Sequence, residues 1–293
     1  MLVSVVLQLQ PDRPLRNPAG LGRAAHACFL GLVSRFDPAL AQSLHRSEIT
    51  PFALSILADP MSTRRGRLKN PPNSVWLRLT SLDERLSALL QKLEPKRIDT
   101  LRLLHAKCKV VSIISDSKTY TWARKSTFSE ISNNGLVRAR KGESYTGFRF
   151  LSLTSFSMAK SRLSMPLPWP RLVFQSLVRR WNAFSRITWR IDWPEFDRGV
   201  SIAEHRLQTC RLDLGRFSEL GFVGECWYVI DRDVSIGLRH AIHALAEFAF
   251  FSGVGKKTTM GMGFVLPLTS GPLEAVFHGQ GSGQAGYRRP RGS

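Results

Sequence analysis

This chain is poor in cysteine and poor in negative charge. Its four cysteines, Cys28, Cys108, Cys210 and Cys226, form no C-x-x-C pair, which argues against structural zinc and a disulfide scaffold. A reduced, cytoplasmic protein is expected. Long apolar runs are also missing. The longest, Ala241–Phe251, contains Glu247 and falls far short of the roughly 20 residues that span a bilayer. Met1–Leu9 is apolar but has neither a basic n-region nor a small-residue cleavage site, so it does not read as a signal peptide. No K/R-G-F/Y-G/A-F-V-x-F/Y run is present either. Asp and Glu number 22 against 42 Lys and Arg, a net charge of +20. Such an imbalance costs self-repulsion and points to a polyanionic partner, with nucleic acid the leading class.

What is abundant is glycine in one place. Gly253-Val254-Gly255-Lys256-Lys257-Thr258-Thr259-Met260-Gly261-Met262-Gly263 sets two Gly-x-Gly units around five residues, two of them lysines. Glycine permits positive φ and close backbone approach, and successive N–H groups beside lysines suit an anion. The loop follows an apolar helix and precedes a strand, the reverse of a nucleotide P-loop. Phe250 stands where that motif needs glycine, and Lys257 where it needs Ser or Thr. Gly253, Gly255, Lys256, Lys257, Gly261 and Gly263 are therefore candidate phosphate contacts. Exposed lysines contribute little to stability, so removing Lys256 and Lys257 is expected to leave the fold unchanged.

Periodicity divides the chain into two similar halves. Met1–Leu9, Phe52–Leu57, Val75–Leu79 and Lys109–Ser115 read as strands. Leu21–Phe36 has the spacing of an amphipathic helix, and Asp37-Pro38 opens a short helix to His45. Ser81-x-x-Glu84 reads as a capping box before a leucine-rich helix. In the second half Phe148–Phe156, Arg206–Leu214, Phe222–Ile230 and Gly261–Leu268 read as strands, and Arg171–Phe184 and Val234–Phe251 as helices. Each half is β-α-β-β-α-β, so the expected fold class is α+β with two tandem ferredoxin-like (RRM-like) domains. The expected limits are 1–116, a basic junction over 117–145, 146–269, and a disordered tail over 270–293. Arg138, Arg140 and Lys141 in the junction, with Arg179 and Arg180, are further candidate RNA contacts. The basic run Arg64–Lys69 reads as a solvated loop, followed by Pro71-Pro72.

Four motifs in this order resemble the CRISPR-associated repeat-processing endoribonucleases of the RAMP superfamily. They are Arg23-Ala-Ala-His26 through Gly31-Leu32, and Asp37-Pro38 to His45 followed by Pro51-Phe52. Phe150 to Phe156 with Leu167-Pro168 and Val173 to Trp181 is the third, and the glycine loop is the fourth. The resemblance covers residues 1 to about 268. It implies a metal-independent endoribonuclease without cofactor that cuts CRISPR repeat RNA, with effector-complex subunits as possible further partners. Such cleavage uses the RNA's own 2′-hydroxyl and needs a base, an acid and positive charge at phosphorus. Histidine suits both proton transfers. The resemblance places His26 and His45 in those roles, with Arg23 one helical turn before His26. It leaves open which is the acid. A tyrosine–histidine–lysine version is excluded, because Cys28, Phe29 and Ser34 occupy the first helix and residues 46–50 contain no lysine. The alternative is a non-catalytic RAMP subunit that binds CRISPR RNA, which has no need of paired histidines. His240 and His243 read as packed helix residues.

Overall fold

Leu2–Pro11 alternates Val3, Val5, Leu7 and Leu9 with Leu2, Ser4 and Val6, and nearly all of these residues are buried. A strand buried on both faces must lie in the middle of a layered structure. It does so as β1 (Leu2–Pro11) of the computed structural model, which describes residues 1–15, 20–57, 74–158, 163–213 and 218–272. The sequence readings at Arg64–Lys69, Pro71-Pro72 and 273–293 lie outside the described residues. Around β1 run β2 (Phe52–Leu57), β3 (Val75–Ser81), β4 (Thr100–Leu103) and β5 (Ala106–Ile114), in the antiparallel order β2-β3-β1-β5-β4. A short β6 (Arg124–Ser126) also pairs with the start of β1. Helices α1 (Leu21–Phe36) and α3 (Glu84–Gln91) cover one face, where Phe29, Leu32, Leu86 and Leu90 pack on Val3, Val5 and Leu7. Between the strands also lie α2 (Pro38–Arg46) and α4 (Pro95–Ile98).

The second half repeats the plan. Here β7 (Tyr145–Thr154), β10 (Val200–Asp213), β11 (Ser218–Ile230) and β12 (Val265–Leu268) form a sheet in the order β10-β11-β7-β12. A two-stranded pair of β8 (Phe156–Ser157) and β9 (Ser164–Met165) stands apart. Helices α6 (Pro170–Phe184) and α8 (Ile236–Ser252) supply the crossovers, with α7 (Trp193–Gly199) added before β10. Both sheets have the ferredoxin strand order, and the fold is α+β with two such domains. Among the described residues no helix is long and apolar enough to cross a membrane.

The stretch expected as a junction has secondary structure of its own. It holds β6 and a helix, α5 (Phe128–Arg140), that packs along α8. Its start is a capping box: Thr127 Oγ1 accepts from the Glu130 N–H at 3.0 Å, and Glu130 accepts from the Thr127 N–H at 2.9 Å. The box expected at Ser81 and Glu84 is absent. Asp83 caps α3 instead, accepting from the Leu86 N–H at 2.8 Å, while Ser81 bonds to the backbone of Asp83.

Helix α8 is apolar almost all round because every side of it is covered: α5, α6 and the second sheet on one side, the free face of the first sheet on the other. Its polar residues serve that packing. His240 donates from Nε2 to the Ser132 carbonyl at 2.8 Å. His243, wholly buried, donates from Nε2 to the Glu143 carbonyl at 3.0 Å; burial and then the nearby Arg138 push it down to about 4, so it stays neutral. At the other end of α8 the buried Arg78 of β3 crosses from the first sheet. Its guanidinium lies between the rings of Phe250 and Phe264, 4.3 and 4.5 Å from their centroids, and donates to the Phe250 carbonyl at 2.6 Å and the Trp122 carbonyl at 3.3 Å. Nothing in the sequence around Arg78 marks it as the connection between the two halves.

Candidate functional site

Helix α1 buries Gly22, Ala25, Phe29, Leu32 and Val33, which leaves His26 on the edge of its packed stripe and Arg23 exposed one turn earlier. The imidazole is half-buried. One face stacks on Phe52 of β2 with ring centroids 5.7 Å apart, and Nδ1 lies 3.1 Å from the Thr259 carbonyl oxygen. A carbonyl only accepts, so Nδ1 carries the proton and Nε2 presents a lone pair. Burial lowers the affinity of His26 for a second proton; the Thr259 bond opposes this, and the charge of His45 adds to it. The site therefore holds His26 neutral near pH 7.

His45 is brought to His26 by the corner between the first two helices. Asp37 ends α1 and caps α2, accepting from the Leu40 N–H at 3.0 Å. The same carboxylate takes two hydrogen bonds from Arg85 of α3, at 2.8 and 2.7 Å, which ties the corner to that helix. Leu40, Ala41 and Leu44 face inward, and the next residue, His45, is exposed.

The glycine loop arrives from the other domain. Gly253, Gly255, Gly261 and Gly263 all have positive φ, as expected, and so does Lys257. Its central residues Thr258–Met260 form a 3-10 turn that packs against α1 and β2. A Cβ on Gly22 would collide with the Met260 carbonyl, so only glycine in the first turn of α1 lets this turn approach. Gly255 is equally constrained, by the Ser155 carbonyl. The loop thus has a structural task that its sequence does not announce: it carries the Thr259 carbonyl to His26.

The other predicted contacts fall into four groups. Lys256 and Lys257 both pair with Glu219 of β11, and Lys256 also bonds to Ser164 Oγ at 2.6 Å. Burial pushes the Glu219 carboxyl up, but hydrogen bonds and charge from the two lysines outweigh it and hold it below the usual range. Arg180, largely buried, donates to the Ser252 carbonyl and to Thr258 Oγ1, and burial lowers it to about 10; it braces the loop. Arg179 is exposed and pairs with Glu48 at 3.0 Å, an easily exchanged surface pair. These residues line one groove of about 470 Å³ together with Gln175, Ser176 and Thr259. Glu48, Ile49 and Thr50, which follow α2, form its opposite wall. The groove therefore opens beside Thr259, the partner of His26, and beside the segment that follows His45.

Arg138, Arg140 and Lys141 are not brought there. Arg138 pairs with Glu143 at 2.6 Å, and the chain after α5 is tied to Arg239 and His243 near the start of α8. The groove lies past Ser252, roughly 15–20 Å along that helix.

Glu219 changes what the lysines do. Alanine at both Lys256 and Lys257 leaves a carboxylate on a residue only 7% exposed without its partners. The expectation of an unchanged fold is accordingly revised: the double variant loses roughly 2 kcal/mol in urea denaturation. Glu219→Gln in the same background recovers most of the loss. A double variant as stable as the parent would show that the Glu219 pairs carry no stability.

Thr259, Phe52, Ser164 and Glu219 were not legible as site residues, since each meets its partner across a long sequence separation. Among the described residues no group of three His, Cys, Asp or Glu is placed to hold a metal ion.

Comparison with known proteins bears on the whole chain. None of the curated proteins matches it. Two family models do: CRISPR-associated endoribonuclease Cas6 over residues 148–265 and the Cas6 N-terminal domain over residues 1–133. The solved structure of Thermus thermophilus Cas6 is 31% identical, covering 92% of this chain and 98% of its own, with a TM-score of 0.67. A Cas6 product complex is also 31% identical, over 92% of this chain and 100% of its own, with a TM-score of 0.74. A Cas6-related protein from Pyrococcus furiosus, 14% identical over 92% of this chain and 100% of its own at a TM-score of 0.58, shares the fold. With both halves matched in order and identity of this level along nearly the full length, the chain belongs to the Cas6 family of CRISPR-associated endoribonucleases.

Proposed function

We propose that this chain binds CRISPR repeat RNA in precursor transcripts and cuts it without a metal ion. His26 acts as the base and His45 as the acid. The observation that carries the reading is the setting of His26: half-buried, neutral, with Nδ1–H held by Thr259 and His45 close enough to affect its charge. In that setting Nε2 takes the proton from the 2′-hydroxyl as its oxygen attacks the adjacent phosphorus. Protonated His45 gives a proton to the departing 5′-oxygen. Arg23, exposed on the same face of α1, supplies positive charge to the non-bridging oxygens. Bond making and breaking then leave a 2′,3′-cyclic phosphate on one fragment and a 5′-hydroxyl on the other.

The lysines reach RNA in this reading by exchanging a carboxylate for a phosphate, because Glu219 occupies both of them in the free protein. The paired histidines also support an enzyme over a purely RNA-binding subunit, which would have no use for them.

Incubating repeat RNA with the purified protein in EDTA tests the chemistry. Cutting continues, and end analysis finds cyclic phosphate and 5′-hydroxyl. A strict requirement for magnesium, or fragments ending in 3′-hydroxyl, would overturn the mechanism.

A further inference from the structure

The chain has seven tryptophans, and six of them are buried or half-buried. The exception is Trp169, which is 60% exposed. Exposing an indole forgoes the burial of a large apolar surface, so an isolated one on a protein of charge +20 calls for an occupant. Its backbone is firmly held. The Trp169 N–H donates to the Leu167 carbonyl at 2.9 Å, its own carbonyl accepts from Val173 at 3.1 Å, and Tyr228 fastens the preceding Pro168 at 2.9 Å. Trp169 is the N-cap residue of α6 and offers no side-chain cap there. Leu167 beside it is also exposed.

Its position supplies the occupant. The groove beside Thr259 is floored by Leu172, Gln175, Ser176, Arg179 and Arg180, a single stripe of α6 at intervals of three and four. Trp169, the N-cap residue, precedes Leu172 by three positions, just beyond the residues that line the groove and roughly 15 Å from Arg179 along the helix axis. The stripe thus runs from the cationic end next to α2 to an exposed aromatic ring at the other end. Cations that follow a backbone, with an aromatic face for a base, are the two elements from which single-stranded nucleic-acid sites are built.

We infer that Trp169 is a stacking platform for an unpaired base of the substrate RNA, a few nucleotides along the groove from the scissile phosphate. The inference rests on the proposed RNA-binding function and adds a subsite to it. A duplex end or hairpin stem keeps its bases stacked within itself. The platform therefore acts on single-stranded flank, and it sets how that flank is threaded past His26 and His45.

The test compares the full chain with its Trp169→Ala and Trp169→Phe variants, using three RNA probes under non-cleaving conditions. These are a 12-nucleotide oligo(A), the same length with abasic sugars throughout, and a blunt-ended RNA hairpin with no unpaired flank. Trp169→Ala weakens oligo(A) binding by roughly 5- to 100-fold, with an unchanged slope of affinity against salt, since a stack releases no counterions. Trp169→Phe retains most of the affinity. On the abasic probe and the blunt hairpin all three proteins bind alike, and their melting curves coincide.

Equal binding of oligo(A) by the parent and Trp169→Ala overturns the platform while leaving the RNA function standing; the exposed indole then covers a protein partner. A loss that is equal on abasic and natural probes also overturns it, because the effect is then not stacking. If the parent binds repeat RNA but not oligo(A), the platform fails alone; if it binds neither, the RNA function fails and the platform with it.

Discussion

Replacing His26 with alanine slows single-turnover cleavage of repeat RNA by roughly 10²–10⁴-fold, the usual worth of a general base or acid, while RNA affinity stays within a few-fold. The asymmetry follows from placement. His26 is a half-buried residue at the back of the site, touching Phe52 and Thr259. In the proposed reading the cations that set RNA affinity are elsewhere, in Arg179 and the two loop lysines that line the groove. His45→Ala shows a loss of the same order with equally little change in binding. Loss of binding in parallel with rate would make either histidine an RNA contact and not a proton carrier.

The pH profile separates the two roles. Burial lowers the His26 pKa, so the form with an open Nε2 persists below the ordinary histidine value of 6.5. The rate limb that rises with pH, where the base must be deprotonated, therefore has its midpoint below 6.5 in the parent and is absent from His26→Ala. A midpoint above 6.5 would mean that the base is another group. The same depressed pKa makes a minor contribution to folding. The unfolded chain takes up the proton first, so stability is full above pH 6.5 and declines as pH falls through the folded pKa.

Arg78→Ala unfolds the protein more readily by about 3–5 kcal/mol in chemical denaturation. The side chain is 1% exposed, and burial lowers its pKa to about 9, so the guanidinium is still charged at pH 7. Two aromatic faces and two carbonyl oxygens stabilise it. Truncation opens a cavity between the first sheet and α8 and strips the Phe250 carbonyl of its Arg78 donor, and both losses add. Arg78→Met fills the space without burying a charge, so its cost is smaller, roughly 1–2 kcal/mol. Activity falls with the packing, because the rings that hold Arg78 flank the glycine loop that presents Thr259 to His26. Were Arg78→Ala to melt with the parent, the arginine would be a passenger at the interface.

Several features were legible in the residues alone. The strand and helix periodicities gave the doubled ferredoxin order, because each pattern follows from which face is buried locally. Asp37-Pro38 marked the corner that places His45, since capping is decided within four residues. The four glycines marked a loop of positive φ for the same reason. Helix α5 was missed, because its capping box at Thr127 and Glu130 sits in a polar run that reads as a junction.

Tertiary structure decided the rest. Sequence carries no signal for a contact made across a hundred residues by groups of ordinary type. Met260 resting on Gly22, Thr259 bonding to His26 and Arg78 reaching Phe250 are all such contacts. The lysines were read as free phosphate ligands because the glycines around them are local, whereas Glu219, which pairs with both, is supplied by a different strand. Trp169 was likewise silent in the sequence, because whether an indole is buried depends on what packs over it. Local patterns fixed the elements and the family resemblance named the histidines; only the docking of one domain on the other holds His26 in a single tautomer and opens a groove beside its partner Thr259.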